Sequence, residues 1–256
     1  MKHNSIRTVF RIGYLKTIYI NFRLLPFKQA IRLPIVVSRA TTLESLSGSI
    51  HFQSKPSFGI MKFGFNHSDL FSWRARRSII KIDGNVFAGD FTQFGVGCSL
   101  IVDAGATLYL GNNFTIGGLS KIICRKKISI GDNFRGAWEV QIFDTNFHYI
   151  KNIEDGSVTR REHEVVLGAN NWIGNRASVM PGTKTNSFFI AASNSLCNKD
   201  YTTMVPQYSL VAGSPAKLLK NNVVRVIDRE EREIARLFKE SSEKVLHVNP
   251  EPRSRF

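Results

Sequence analysis

The sequence predicts an all-β solenoid with a basic cap segment ahead of it and an α-helix behind it. Aliphatic residues recur six apart at Leu110, Ile116, Ile122 and Ile128, and again at Leu167, Ile173 and Val179, with Thr185, Ala191 and Cys197 keeping the phase. Glycine follows at once in Leu110-Gly111, Ile116-Gly117, Leu167-Gly168 and Ile173-Gly174. The runs Gly131-Asp132-Asn133 and Gly168-Ala169-Asn170-Asn171 offer residues that tolerate tight corners. A six-residue period fits neither a helix of about 3.6 residues per turn nor a sustained alternating strand. A sandwich would instead carry turn signals roughly every 8–12 residues. The period does fit triangular coils of three short strands, with one aliphatic residue per hexapeptide facing a narrow core.

The elements follow in chain order. Residues 1–79 read as a basic N-terminal extension, in which positions 1–43 hold eight Lys or Arg and no Asp or Glu. Phe10, Ile12, Leu15, Ile18, Tyr19, Phe22 and Leu25 interleave with those charges. The segment predicts a cap whose apolar side covers the first coil, with contact on an anionic membrane surface as the alternative; nucleic acid is a poor fit. Recurring charges break any signal-peptide core, and no run of about 18 apolar residues predicts a membrane span. Residues 80–220 form the repeat domain, entered weakly through Ile82, Ala88, Phe94, Leu100, Val102 and Leu108. A two-residue offset separates Ile128 from Ile130-Gly131, which leads on to Gly136 and Ile142. The blocks 80–143 and 165–200 supply roughly five coils. The polar stretch 146–163 cannot stack in the prism and predicts an extruded loop, where function concentrates. Pro206 and Gly213-Ser214-Pro215 mark the end of the coils. Asp228 and Glu231 then suggest a capping box opening a helix over about 228–246, with Ile234, Leu237, Phe238 and Val245 on the face that flanks the last coil. Residues 221–256 are that helix and a tail.

Three cysteines, Cys98, Cys124 and Cys197, form no close pair, so neither a disulfide framework nor a zinc cluster is expected. The expected setting is the cytoplasm, with the inner face of the membrane as a site of peripheral contact.

The segments Leu167 to Gly174, Val179-Met180-Pro181-Gly182, Lys199-Asp200 and Tyr208 to Lys217 carry a resemblance. Together they resemble the hexapeptide-repeat acyltransferases, and more narrowly the maltose/galactoside acetyltransferase group and its relatives acting on surface polysaccharides. The likeness spans about 80–220. It implies a left-handed parallel β-helix, a homotrimer, acetyl-CoA as acyl donor, no metal, and a sugar hydroxyl as acceptor. Left-handed coils break the usual crossover rule, so the handedness is carried by the resemblance alone.

His148 stands 24 residues before Trp172, the separation at which this family places its catalytic histidine. An alcohol attacking a thioester needs a base that titrates near neutrality, which imidazole supplies. His148 would take the hydroxyl proton and pass it to the departing thiolate, without an acyl-enzyme. A backbone N–H, or a donor from a neighbouring subunit, would stabilise the oxyanion. Asp144 is expected to orient the imidazole or hold an acceptor hydroxyl, or else to cap a turn. Trp138 and Glu139 are expected at the acceptor site. The resemblance places Trp172 and Asn175 on the pantetheine arm of acetyl-CoA, Ser193, Asn198 and Lys199 along the same groove, and Lys217 and Lys220 at its phosphates. Thr185-Asn186 and Ala191-Ala192-Ser193-Asn194 depart from the family pattern, and Asn198 replaces a Thr. His163, at the far end of the loop, is a weaker base.

Three other readings stay open. The same base could serve another acyl group or an amino-sugar acceptor. A zinc-dependent hydratase of the γ-carbonic-anhydrase type would need three converging histidines, for which the spacing is absent. A non-catalytic binding solenoid would leave His148 incidental.

Overall fold

The computed structural model describes residues 10–66, 76–226 and 228–248. Its centre is a prism with three faces of short parallel strands. The first face stacks Ile35–Val37, Met61–Asn66, Thr92–Gly95, Phe114–Ile116, Arg135–Gly136, Trp172–Ile173, Ile190–Ala191 and Leu210–Ala212. The second stacks Thr41–Leu43, Ser78–Ile82, Ser99–Val102, Lys121–Cys124, Gln141–Phe143, Ser178–Val179 and Leu196–Cys197. The third stacks Ser49–Phe52, Asn85–Ala88, Thr107–Leu110, Lys127–Ile130 and Val165–Leu167, and continues through parallel bridges at Lys184 and Asp200. The chain visits the faces in turn, giving seven coils and the first strand of an eighth. Lys217–Lys220 then folds back antiparallel on Leu210–Ala212 and closes the stack.

The coils begin at Ile35, so the boundary expected at residue 80 falls inside the second coil. The early coils bury Ile35, Val37, Met61 and Phe63 inward as the later ones do. An irregular connection from Gln53 to Ile60 separates them, so no six-residue period shows in the sequence. The offset at Ile128 and Ile130 also finds its cause. Both side chains are buried in one four-residue strand, with Ser129 between them facing outward. Coils with such strands advance by about 20 residues, as in Leu108 beside Ile128. The later coil from Trp172 to Ile190 advances by 18, which is three hexapeptides.

Of the 19 phenylalanines, four have a common structural use. Phe63, Phe94, Phe114 and Phe134 form a stacked column inside the prism, with ring centroids 4.3, 5.3 and 5.3 Å apart. Contacts of this kind add to plain apolar burial. Corner glycines answer to the stacking of coils. At Gly168 a Cβ would stand 2.5 Å from the backbone carbonyl carbon of Asn186, so no side chain fits. At the neighbouring core position, Thr185 is buried where an aliphatic residue would be usual. Its hydroxyl accepts bonds from the Gly168 N–H at 3.1 Å and from Asn171 Nδ2 at 2.5 Å, which satisfies the polar atom.

The N-terminal cap is helix α1, Tyr14–Leu24, followed by the short helix α2, Phe27–Ala30. The open edge of the first strand is met by side chains. Asn21 Nδ2 donates to the Ile35 carbonyl at 2.7 Å, Asn21 Oδ1 accepts from the Ile35 N–H at 3.0 Å, and Thr17 Oγ1 accepts from the Val37 N–H at 3.2 Å. These bonds replace the strand that would otherwise lie there, which is how an exposed edge is blunted. At the other end, helix α3 spans Asp228–Glu240, with Ile234 and Leu237 half-buried and Phe238 exposed. The side chain of Asp228 lies outside the described residues, as do Lys2 and Arg7 of the basic segment.

Candidate active site

Three corners join the faces, and Trp138, Glu139, Asn175 and Ser193 fall on one of them while His148, Asn198 and Lys199 fall on another. The corner between the first and second faces carries Leu119, Glu139, Arg176 and Asn194, each with positive φ. Trp138, Glu139, Asn175 and Ser193 therefore stack along one edge, coil upon coil. The Arg176 N–H donates to the Trp138 carbonyl at 3.1 Å and the Asn194 N–H to the Asn175 carbonyl at 2.9 Å. Arg176 pairs with Glu139, and Ser193 Oγ donates to Asn175 Oδ1. No local pattern announces Arg176, because the intervening loop puts 37 residues between it and Glu139.

The outer side of the first face runs from Thr115 through Arg135, Trp172 and Ile190 to Leu210, which pairs with Lys220. The Trp172 ring is exposed there, and the side chains of Lys217 and Lys220 are exposed and without ionic partners among the described residues.

His148 belongs to a different corner, between the second and third faces. The extruded loop leaves the coil here. Its base is tied by the Asn146 N–H to the Arg161 carbonyl at 2.9 Å, the His163 N–H to the Asp144 carbonyl at 2.9 Å, and a bridge between Thr145 and Glu162. A second bridge, Lys151 with Val158, makes the loop a hairpin arm. The neck is held by aromatic contacts. Phe147 packs edge-on against Phe143 at 5.7 Å and lies under the Arg125 guanidinium at 5.2 Å. Tyr149 lies under Arg161 at 4.8 Å, and Arg161 also donates to the Phe147 carbonyl at 3.2 Å. His148 thus sits between two residues that are each clamped by an arginine. Its own ring is exposed and makes no hydrogen bond among the described residues, which leaves both nitrogens available. Asn198 and Lys199 are exposed on this same corner two coils later.

Asp144 does not reach for His148. Its carboxylate is fully buried, and its two oxygens accept the backbone N–H groups of Arg125, Lys126 and Lys127 at 2.8, 2.7 and 2.8 Å. Of the three roles expected for it, the geometry assigns turn-holding and corrects the ideas of an imidazole partner and of a holder for the acceptor hydroxyl. The reason is positional: Asp144 ends an inward strand, and the three donors of the preceding corner point at it. His163 is likewise engaged locally, its Nε2 at 3.0 Å from the Arg160 carbonyl. Cys98, Cys124 and Cys197 are buried, and burial pushes the Cys98 and Cys197 thiols up to about 12 and Cys124 higher still, so none is a thiolate nucleophile.

No protein-family model matches the chain. Among curated proteins it is 26% identical over 149 residues to an Escherichia coli (strain K12) protein named WbbJ for O-acetyl transfer in lipopolysaccharide biosynthesis, covering 55% of this chain and 74% of that one. It is 25% identical over 126 residues to the polysialic acid O-acetyltransferase of Escherichia coli O1:K1, covering 49% of this chain and 40% of that one. Among solved structures, the polySia specific acetyltransferase NeuO superposes with a TM-score of 0.52 at 20% identity, over 78% of this chain and 100% of that one. The fold, the repeat pattern and these relatives agree: the chain folds as a parallel β-helix and is similar to the hexapeptide-repeat acyltransferases.

Proposed function

We propose that this protein transfers an acetyl group from acetyl-CoA to a hydroxyl of a surface polysaccharide or its precursor, with His148 as general base. The observation that carries the reading is His148 itself. It is exposed, without a hydrogen bond to its ring among the described residues, and fixed at both neighbours, at the neck of the arm on a parallel β-helix. Acetyl-CoA, when bound, supplies the reactive thioester. His148 accepts the proton of the attacking hydroxyl at a ring nitrogen and returns it to the leaving sulfur, so its protonation state is restored each cycle. The exposed Trp172 ring suits the pantetheine arm, and Lys217 and Lys220 are free to meet phosphates as point charges.

Two columns on different corners favour an assembly. His148, Asn198 and Lys199 lie on one corner, while Trp138, Glu139, Asn175 and Ser193 lie on another. A homotrimer, in which the loop corner of one copy faces the other corner of its neighbour, would bring them into one cleft. The arm supports this, because it leaves Tyr149, Ile150 and Val158 exposed and Ile153 95% exposed. Such a patch asks for a covering surface.

The test is release of free CoA thiol from acetyl-CoA, measured against hydroxyl-bearing and amino-bearing glycans. Thiol release should depend on a hydroxyl acceptor. Release only with amino acceptors would make the protein an N-acyltransferase and contradict the proposed acceptor.

A further inference from the structure

Helix α1 is inverted relative to an ordinary surface helix. Its polar residues Thr17 and Asn21 face the first coil with Ile20 and Leu24, while Leu15, Ile18, Tyr19 and Phe22 face outward, Leu15 with 83% of its surface exposed. Their spacing puts them on one stripe. The stripe continues into α2 through Phe27, which is exposed and packs edge-on against Phe22 at 5.8 Å. A contiguous apolar patch of this kind marks an interaction site, unlike single exposed apolar residues.

The charges beside it divide into two sets. Lys16 donates to the carbonyls of Arg39 and Thr41 at 3.0 and 2.6 Å, and Arg11 is buried and donates to the Gly64 carbonyl at 2.9 Å, so both serve the fold. Arg23, Lys28 and Arg32 are exposed with no ionic or hydrogen-bond partner among the described residues, and no Asp or Glu occurs in the first 43 residues to neutralise them.

We propose that this face of the cap binds an anionic lipid bilayer. The apolar stripe enters the boundary between headgroups and acyl chains, and Arg23, Lys28 and Arg32 pair with lipid phosphates. Helix α1 has 11 residues and is about 16 Å long. It lies along the surface, since no described helix is long and apolar enough to cross a membrane. A second copy of the chain is a poorer occupant. A two-fold contact through this face would bring two sets of the same uncompensated cations together, which costs affinity. An anionic bilayer answers the apolar stripe and the cations at once.

The full chain is sedimented with vesicles of phosphatidylcholine alone and with vesicles containing phosphatidylglycerol, at low and high salt. It should pellet with the anionic vesicles, and high salt should weaken the binding. A triple variant, Leu15→Ser with Ile18→Ser and Phe22→Ser, should bind at least about tenfold more weakly, because these side chains leave water on binding. Replacing Arg23, Lys28 and Arg32 with Gln should cost roughly fivefold per cation. All replaced side chains are exposed, so thermal melting and acetyl transfer to a soluble acceptor should stay as in the unaltered chain. Failure to pellet with anionic vesicles would overturn the proposal, as would equal pelleting with neutral ones or binding unaffected by either variant. A fall in oligomer mass in the apolar variant, measured by light scattering without lipid, would assign the face to a second copy instead.

Discussion

His148→Ala should lower kcat/KM for acetyl transfer by roughly a thousandfold, the loss expected when a positioned general base is removed. CoA affinity should change by no more than about twofold, because the imidazole acts on protons and makes none of the contacts expected to hold CoA, which fall to Trp172, Asn175, Ser193, Asn198, Lys199, Lys217 and Lys220. The melting temperature should also hold, since the imidazole is exposed and makes no hydrogen bond among the described residues. This three-way split is what a chemical role predicts. Retained turnover in the variant would remove His148 from the mechanism and leave the fold assignment standing.

Asp144→Asn should be the opposite kind of lesion. The native carboxylate accepts three backbone N–H groups with no solvent contact. An amide can present one oxygen to those donors, but its NH2 would face at least one of them with no acceptor to offer. Leaving a buried donor unpaired, and weakening charge-assisted bonds, should cost about 2–4 kcal/mol. For a chain of this size that lowers the melting temperature by roughly 5–15 °C. Turnover per folded molecule, measured well below the transition, should fall far less than in His148→Ala, and its pH profile should keep its shape. A large loss of kcat with unchanged melting would instead make Asp144 the group that orients the imidazole. The damage should also reach the loop, because the Asp144 carbonyl and its neighbours tie down the base of the arm.

Much of the prism was legible because its core is narrow. One inward aliphatic per hexapeptide leaves a mark that survives substitution, and Leu110 to Ile128 show it without interruption. The first coils were not legible for a matching reason. Ile35, Val37, Met61 and Phe63 are as buried as later core residues, but irregular connections put them out of phase. The offset at Ile128 and Ile130 looked like a change of register and is two inward positions of one strand.

The site was legible in its residue types and less so in its geometry. His148 could be singled out by its separation from Trp172. The contacts that steady it, Arg125 on Phe147 and Arg161 on Tyr149, cross between coils or across the loop neck, and no local pattern announces them. The pairing of Glu139 with Arg176 is hidden in the same way. Asp144 shows the limit most clearly. Four residues from a histidine suggests a catalytic pair, yet a corner that ends an inward strand aims its side chain back at the previous coil. In helix α1 the aromatic and basic residues were visible, but which side faced the coil was not. That was decided by Asn21 and Thr17, which take the hydrogen bonds of a missing strand.

If this β-helix uses acyl-CoA, the full chain binds CoA, and that binding can be read without knowing the acceptor. Titration calorimetry should show saturable binding at one CoA per chain, weakened severalfold or more by Trp172→Ala and by the Lys217→Ala, Lys220→Ala pair. It should be nearly unchanged in His148→Ala. A flat titration with the folded protein would contradict the account, leaving a solenoid in which His148 has no acyl group to move.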